Sequence, residues 1–170
     1  MIKNYKKYLI ELFDSNFEIE KNSSEYYKVN IDDNLILYVN FSNVYKEYES
    51  FFRTNPYTKN IKNLYEIVFS IKKKGVIGSK TCEITGENKN MFIIFGNVAN
   101  VIKKWISEVN PDAFYFTAEE PKRIKLYDKF VDLIEKETNY NYNDRLNLLI
   151  KTELGLYNDS SVKIYSFLKG

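Results

Sequence analysis

The sequence predicts an α+β fold: one mixed, mostly antiparallel sheet with flanking helices, built as a single domain over residues 1–170. Three observations lead there. Alternating strand patterns joined by short turns crowd the first half, as in an antiparallel meander. In the second half, apolar strands alternate with segments of helical spacing. No repeat and no linker divides the 170 residues, a length that suits one buried core.

Apolar positions Tyr5, Tyr8, Leu9, Leu12 and Phe13 predict a short opening helix ended by Asp14-Ser15-Asn16. Strands follow at Phe17–Glu20, Tyr27–Ile31 and, after the Asp32-Asp33 turn, Asn34–Phe41. Residues Ser42 to Asn63 are polar, rich in Tyr and interrupted by Pro56, which reads as a loop or a short helix with an exposed surface. Ile67, Phe69 and Ile71 share one face of a strand over Tyr65–Lys73, and Cys82–Gly86 begins another. After a turn at Asn88-Lys89-Asn90, Met91–Phe95 is apolar throughout, as in a strand buried on both faces.

A helix then opens at Gly96-Asn97, with Val98, Val101, Ile102, Trp105, Ile106 and Val109 in one stripe, and Asn110-Pro111-Asp112 stops it. Ala113–Ala118 is a second buried strand, reached by a connection long enough for a parallel crossover from the first. Glu119-Glu120 and Pro121 start the next helix, which runs to about Lys136. Asn139–Asn143 reads as a loop, Arg145–Leu154 as helix or strand, and Val162–Leu168 as a final strand.

Composition narrows the chemistry. A chain that is 44% hydrophobic and 16% aromatic buries enough surface to fold. With no histidine and one cysteine, Cys82, there is no Cys/His zinc site, no Ser-His-Asp or Cys-His nucleophile and no internal disulfide. Acid–base work falls to Asp, Glu, Tyr and Lys. The Asp32-Asp33 and Glu119-Glu120 pairs lack a calcium-loop spacing and read as a turn and a helix start, so no metal is expected. The 25 basic and 23 acidic residues are interspersed, and Lys72-Lys73-Lys74 is the one dense basic run, which disfavours a nucleic-acid partner. The opening residues carry no apolar signal core, and no run of about twenty apolar residues spans a bilayer. A cytoplasmic protein without membrane attachment is the expectation. Much Asn, Lys, Ile and Tyr with 6 Gly and 3 Pro fits an AT-rich genome.

The order strand, amphipathic helix, strand, helix over Met91–Ile134 resembles the core of the GNAT superfamily of acyl-CoA-dependent N-acyltransferases. Phe114–Ala118, the polar stretch Glu119 to Lys125 and the pair Leu126-Tyr127 carry that likeness. The wording Phe116-Thr117-Ala118 followed by Arg123-Ile124-Lys125-Leu126-Tyr127 also resembles a group of small bacteriophage and prophage proteins. The first resemblance implies acetyl-CoA held by free amides at Gly96 and Asn97, and Tyr127 as the proton donor to the departing thiolate. The GNAT pyrophosphate loop carries Gln or Arg and two small residues, whereas Phe95 is followed by Gly96 alone.

Each residue has a plainer alternative. Tyr127 is otherwise a core tyrosine beside Phe130, and Arg123 an ion-pair partner of Glu119 or Glu120 rather than a binder of an anionic ligand. With the cofactor loop incomplete, the sequence favours a non-enzymatic binding or accessory protein of a phage or mobile element, with no cofactor. Its partner would be a virion component, a second copy or a host protein, with Tyr45, Tyr48 and Tyr57 as contact residues. That places it in the host cytoplasm or with the virion. The competing expectation is a divergent acetyl-CoA-dependent N-acetyltransferase.

Overall fold

A computed structural model describes residues 18–75, 88–119 and 121–170. The opening helix expected over Tyr5–Phe13 and the strand expected at Cys82–Gly86 lie outside these residues. The elements are β1 (Ile19–Ser23), β2 (Tyr26–Asn30), β3 (Leu35–Asn43), α1 (Tyr45–Thr54), β4 (Leu64–Lys73), α2 (Asn88–Val109), β5 (Ala113–Ala118), α3 (Pro121–Glu137), β6 (Tyr140–Tyr142), α4 (Asp144–Glu153) and β7 (Lys163–Lys169). The seven strands form one sheet in the order β1-β2-β3-β4-β5-β7-β6. Pairing is antiparallel at β1/β2, β2/β3, β5/β7 and β6/β7, and parallel at β4/β5. The α+β class with a mixed, mostly antiparallel sheet is therefore as the sequence predicts. Among the described residues no helix is long and apolar enough to cross a membrane.

By contacts the chain divides into two compact units that interleave along the sequence, residues 1–40 with 68–109 and residues 41–67 with 110–170. In the first, the meander β1–β2–β3 follows the expected alternation. Tyr27 and Val29 of β2 and Leu37 and Val39 of β3 are fully buried, while Tyr26, Lys28, Ile36 and Tyr38 between them remain partly exposed. The turn between the strands is fixed by Asp32, whose carboxylate accepts from the amides of Asn34 at 2.7 Å and Leu35 at 2.8 Å. That confirms a turn role for this aspartate.

Helix α2 covers the buried face of the first unit. The Phe95 ring meets Phe69 of β4 edge-on at 5.7 Å, and Glu108 accepts from the Tyr27 hydroxyl at 2.8 Å and from Lys21 at 2.5 Å. Here the structure corrects the sequence reading. Met91–Phe95 is not a strand, and Asn88-Lys89-Asn90 is not a turn; both belong to α2. The physical reason is burial along one helical stripe. Ile94, Val98, Val101 and Trp105 follow in steps of four, three and four, and all are buried. An apolar run of five residues fits a buried strand or a buried helix equally, so the longer stripe decides. The strand parallel to β5 is accordingly β4, with Leu64 opposite Ala113 and Glu66 opposite Tyr115.

In the second unit α1 and α4 lie on one face of the strands and α3 on the other. Val44, Tyr48 and Phe52 from the α1 region join Leu64, Ala113, Ile164, Leu146 and Ile150 in one core. The opposite face is aromatic, with Phe116 of β5 and Tyr165 of β7 packed against Tyr127 of α3. The residues expected as loop or short helix thus hold a three-turn amphipathic helix, and the residues expected as a loop at Asn139–Asn143 contain the edge strand β6.

Of the two alternatives at Arg145–Leu154, helix wins. Asn143 caps α4 by accepting from the Leu146 amide at 2.9 Å, and Leu146 and Ile150 at a spacing of four are fully buried. Asn143 also donates to the Tyr57 hydroxyl at 2.5 Å. Asn143→Ala loses both bonds and should destabilise the chain by about 1–2 kcal/mol, whereas Asn143→Ser keeps the cap and should recover part of it. Thermal unfolding of the two variants side by side measures this.

Candidate functional site

Gly96 and Asn97 sit in the middle of α2, both buried. Amides inside a helix are engaged with carbonyls four residues back, so they are not the free donors of a helix start that hold an anion. The anion-binding turn implied by the GNAT resemblance is therefore not formed at these residues. Asn97 instead donates to the Ile93 carbonyl at 2.7 Å, and its own carbonyl oxygen has no donor among the described residues.

Tyr127 is a core residue, edge-on to Phe116 at 5.2 Å and to Tyr165 at 5.6 Å. Arg123 is half-buried near the start of α3, and Glu120, one of its expected partners, lies outside the described residues.

The three tyrosines expected at a contact surface separate. Tyr48 is buried in the core, which corrects its exposed placement; its helix turns it onto the sheet. Tyr45 is half-buried beside Phe52 at 6.4 Å. Tyr57 is half-buried under the Arg145 guanidinium, 4.4 Å from its ring centre.

The second unit holds a titratable cluster that the sequence reading missed. The Tyr48 and Tyr115 hydroxyls meet at 3.2 Å with both rings buried. Tyr115 lies across the β4/β5 pairing from Glu66. Burial first, and then the neighbouring Glu47 carboxylate, push the Glu66 carboxyl above its ordinary value. Burial, the Tyr48 hydroxyl and the nearby glutamates push the Tyr115 phenol far up, so it stays protonated at any ordinary pH. Tyr48 is raised as well, by burial above all, with Glu66, Glu47 and Glu153 adding to it and the bond to Tyr115 opposing it. The cluster offers phenolic donors and a carboxyl that holds its proton longer than usual.

Another buried phenol, Tyr165, donates to the Asp128 carboxylate at 2.9 Å. Lys163 reaches the same oxygen at 2.6 Å and lies 5.0 Å above the Tyr165 ring. Burial pushes Asp128 up, but the bonds from Lys163 and Tyr165 outweigh it and hold the carboxyl below its ordinary value. This arrangement ties α3 to β7. Among the described residues no group of cysteine and carboxylate side chains is arranged to hold a metal ion.

Four large hydrophobic side chains stand exposed among the described residues: Val68 (51%), Leu148 (51%), Leu154 (43%) and Tyr157 (63%). Three of them fall on α4 and the turn that follows it. The pattern of Arg145–Leu154 fits helix and strand alike, so it assigns no outward face. Glu66 gives no signal either: with Ile67, Phe69 and Ile71 on one apolar face, alternation assigns it to the opposite, polar one. Compared with protein-family models, with curated proteins and with solved structures, the chain matches none.

Proposed function

We propose that this chain is a non-enzymatic binding protein that acts through protein–protein contacts, with the outer face of α4 and the turn after it as the contact surface. The observation that carries this reading is the concentration of Leu148, Leu154 and Tyr157 on that stretch. Single exposed hydrophobics are common on any protein, but one on α4 and two in the turn after it support reading this stretch as an interaction surface. Arg145, stacked on Tyr57 at the start of the same helix, adds the residue types enriched at interfaces. Tyr57 thus keeps a place beside the contact surface, while Tyr48 serves the core. The resemblance of Phe116–Ala118 and Arg123–Tyr127 to small bacteriophage and prophage proteins is the ground for seeking the partner among virion components, host proteins or a second copy of the chain.

The double variant Leu148→Asp, Tyr157→Asp tests this. Both residues face solvent, so its unfolding free energy should stay within about 0.5 kcal/mol of the parent. Sedimentation of the purified chain and capture with a tagged chain from producing cells should show an association that the variant loses. A parent that sediments as a monomer and captures nothing beyond what the variant captures would overturn the reading.

A further inference from the structure

The polar cluster beneath α1 is not part of the contact surface, and its geometry has a consequence of its own. Glu66 extends from β4 on the face that α1 and α4 cover, since Leu64 on the same face belongs to their shared core. Its β5 neighbour, Tyr115, is held to α1 by the hydroxyl contact with Tyr48 at 3.2 Å. Among the described residues, the carboxylates of Glu47 and Glu66 act on both phenols and that of Glu153 on Tyr48, each disfavouring a further negative charge. The β3 residues of this unit, Phe41, Ser42 and Asn43, carry no charge. Neither Glu66 nor Glu47 forms an ion pair among the described residues. An ionised carboxylate in such a place loses hydration and meets a like charge, with no ion pair among the described residues to compensate.

We propose that Glu66 is a proton-operated seat for α1, holding the helix firmly on the sheet when its carboxyl is protonated and loosening it when the carboxyl is ionised. Loosening would uncover Tyr48 and Phe52, the two buried rings by which α1 is anchored. The sign follows from the raised carboxyl. A group that binds its proton more tightly when folded contributes stability fully present below its unfolded value of 4.5, and that contribution is lost as pH rises through the raised value. Glu20, Glu108, Asp128 and Asp159 are lowered and act in the opposite direction, so global stability would mask the effect. A local measurement resolves it.

Hydrogen exchange of the α1 amides provides that measurement, followed from pH 4.5 upward and expressed as protection factors to remove the intrinsic pH dependence. In the parent chain, protection of Tyr45–Thr54 should fall with rising pH, by about tenfold for each unit by which the carboxyl is raised. In Glu66→Gln the fall should vanish while α1 remains protected. A parent whose α1 protection is flat with pH would overturn the proposal, and so would an equal fall in Glu66→Gln. Carbon-13 titration of the Glu66 carboxyl in the unsubstituted chain is independent of any variant's folding. A midpoint at or below 4.5 would likewise overturn the proposal.

Discussion

Phe116→Ala should lower the unfolding free energy by about 3–5 kcal/mol, the range for removing a fully packed aromatic side chain. The Phe116 ring is almost wholly buried and touches rings on two neighbouring elements. It stacks on Tyr165 at 5.3 Å and Phe167 at 5.8 Å across the β5/β7 pairing, and meets Tyr127 at 5.2 Å and Phe130 at 5.8 Å on α3. Truncation removes apolar burial and these ring contacts together, and leaves a void whose walls are rigid aromatics that cannot collapse into it. A domain of this size has about 5–15 kcal/mol in total, so the variant should sit near the edge of folding. Urea unfolding of Phe116→Ala and Phe116→Leu separates the contributions, because leucine refills part of the void and should lose distinctly less. A loss under about 1 kcal/mol for the alanine variant would contradict the packing account.

The second large effect comes from a polar residue. Asp112 accepts through one carboxylate oxygen from the Lys62 amide at 2.8 Å and the Asn63 amide at 3.2 Å. Asn63 returns a bond by accepting from the Asp112 amide at 2.6 Å, and the Asp112 carbonyl accepts from Lys169 at 3.0 Å. One side chain therefore aligns the entry to β4 with the entry to β5, where the parallel register begins at Leu64 and Ala113. Asp112→Ala orphans two backbone donors at once and should cost about 2–3 kcal/mol. Asp112→Asn keeps an acceptor and should lose about half as much. Chemical denaturation with both variants tests this, and equal losses would mean that the charge rather than the bond geometry matters.

The legible parts of this fold are those in which local pattern and final burial agree. β3 and β5 were readable because their alternation, or its absence, is a direct record of one or two covered faces. Helix α3 announced itself through Pro121 and its stripe of Tyr127, Phe130 and Ile134. Met91–Phe95 misled because a strand buried on both faces and a helix buried nearly all round write the same letters. Helix α1 was hidden by its polar surface, although Val44, Tyr48 and Phe52 step by four along it.

The candidate site was less readable than the fold. Glu66 sits where alternation allows a polar residue, and its meeting with Tyr115 depends on a parallel pairing between segments far apart in the chain, which no local pattern encodes. Tyr48 and Tyr57 look alike in a Tyr-rich stretch, but helical phase turns Tyr48 inward, while Tyr57 lies in the turn beyond α1, half-buried under Arg145.

The position of β7 in the sheet carries a consequence for how the protein is made. Lys163–Lys169 comes after every other strand in the chain, yet it lies between β5 and β6 rather than at an edge. Until the ribosome has released it, β5 lacks its antiparallel neighbour, and Phe114 and Phe116 lack the stacked rings of Phe167 and Tyr165. The second unit therefore cannot close before β7 has emerged. Nascent chains halted before Lys163 should expose this aromatic surface to chaperones, and closure should follow once β7 is free to slot in.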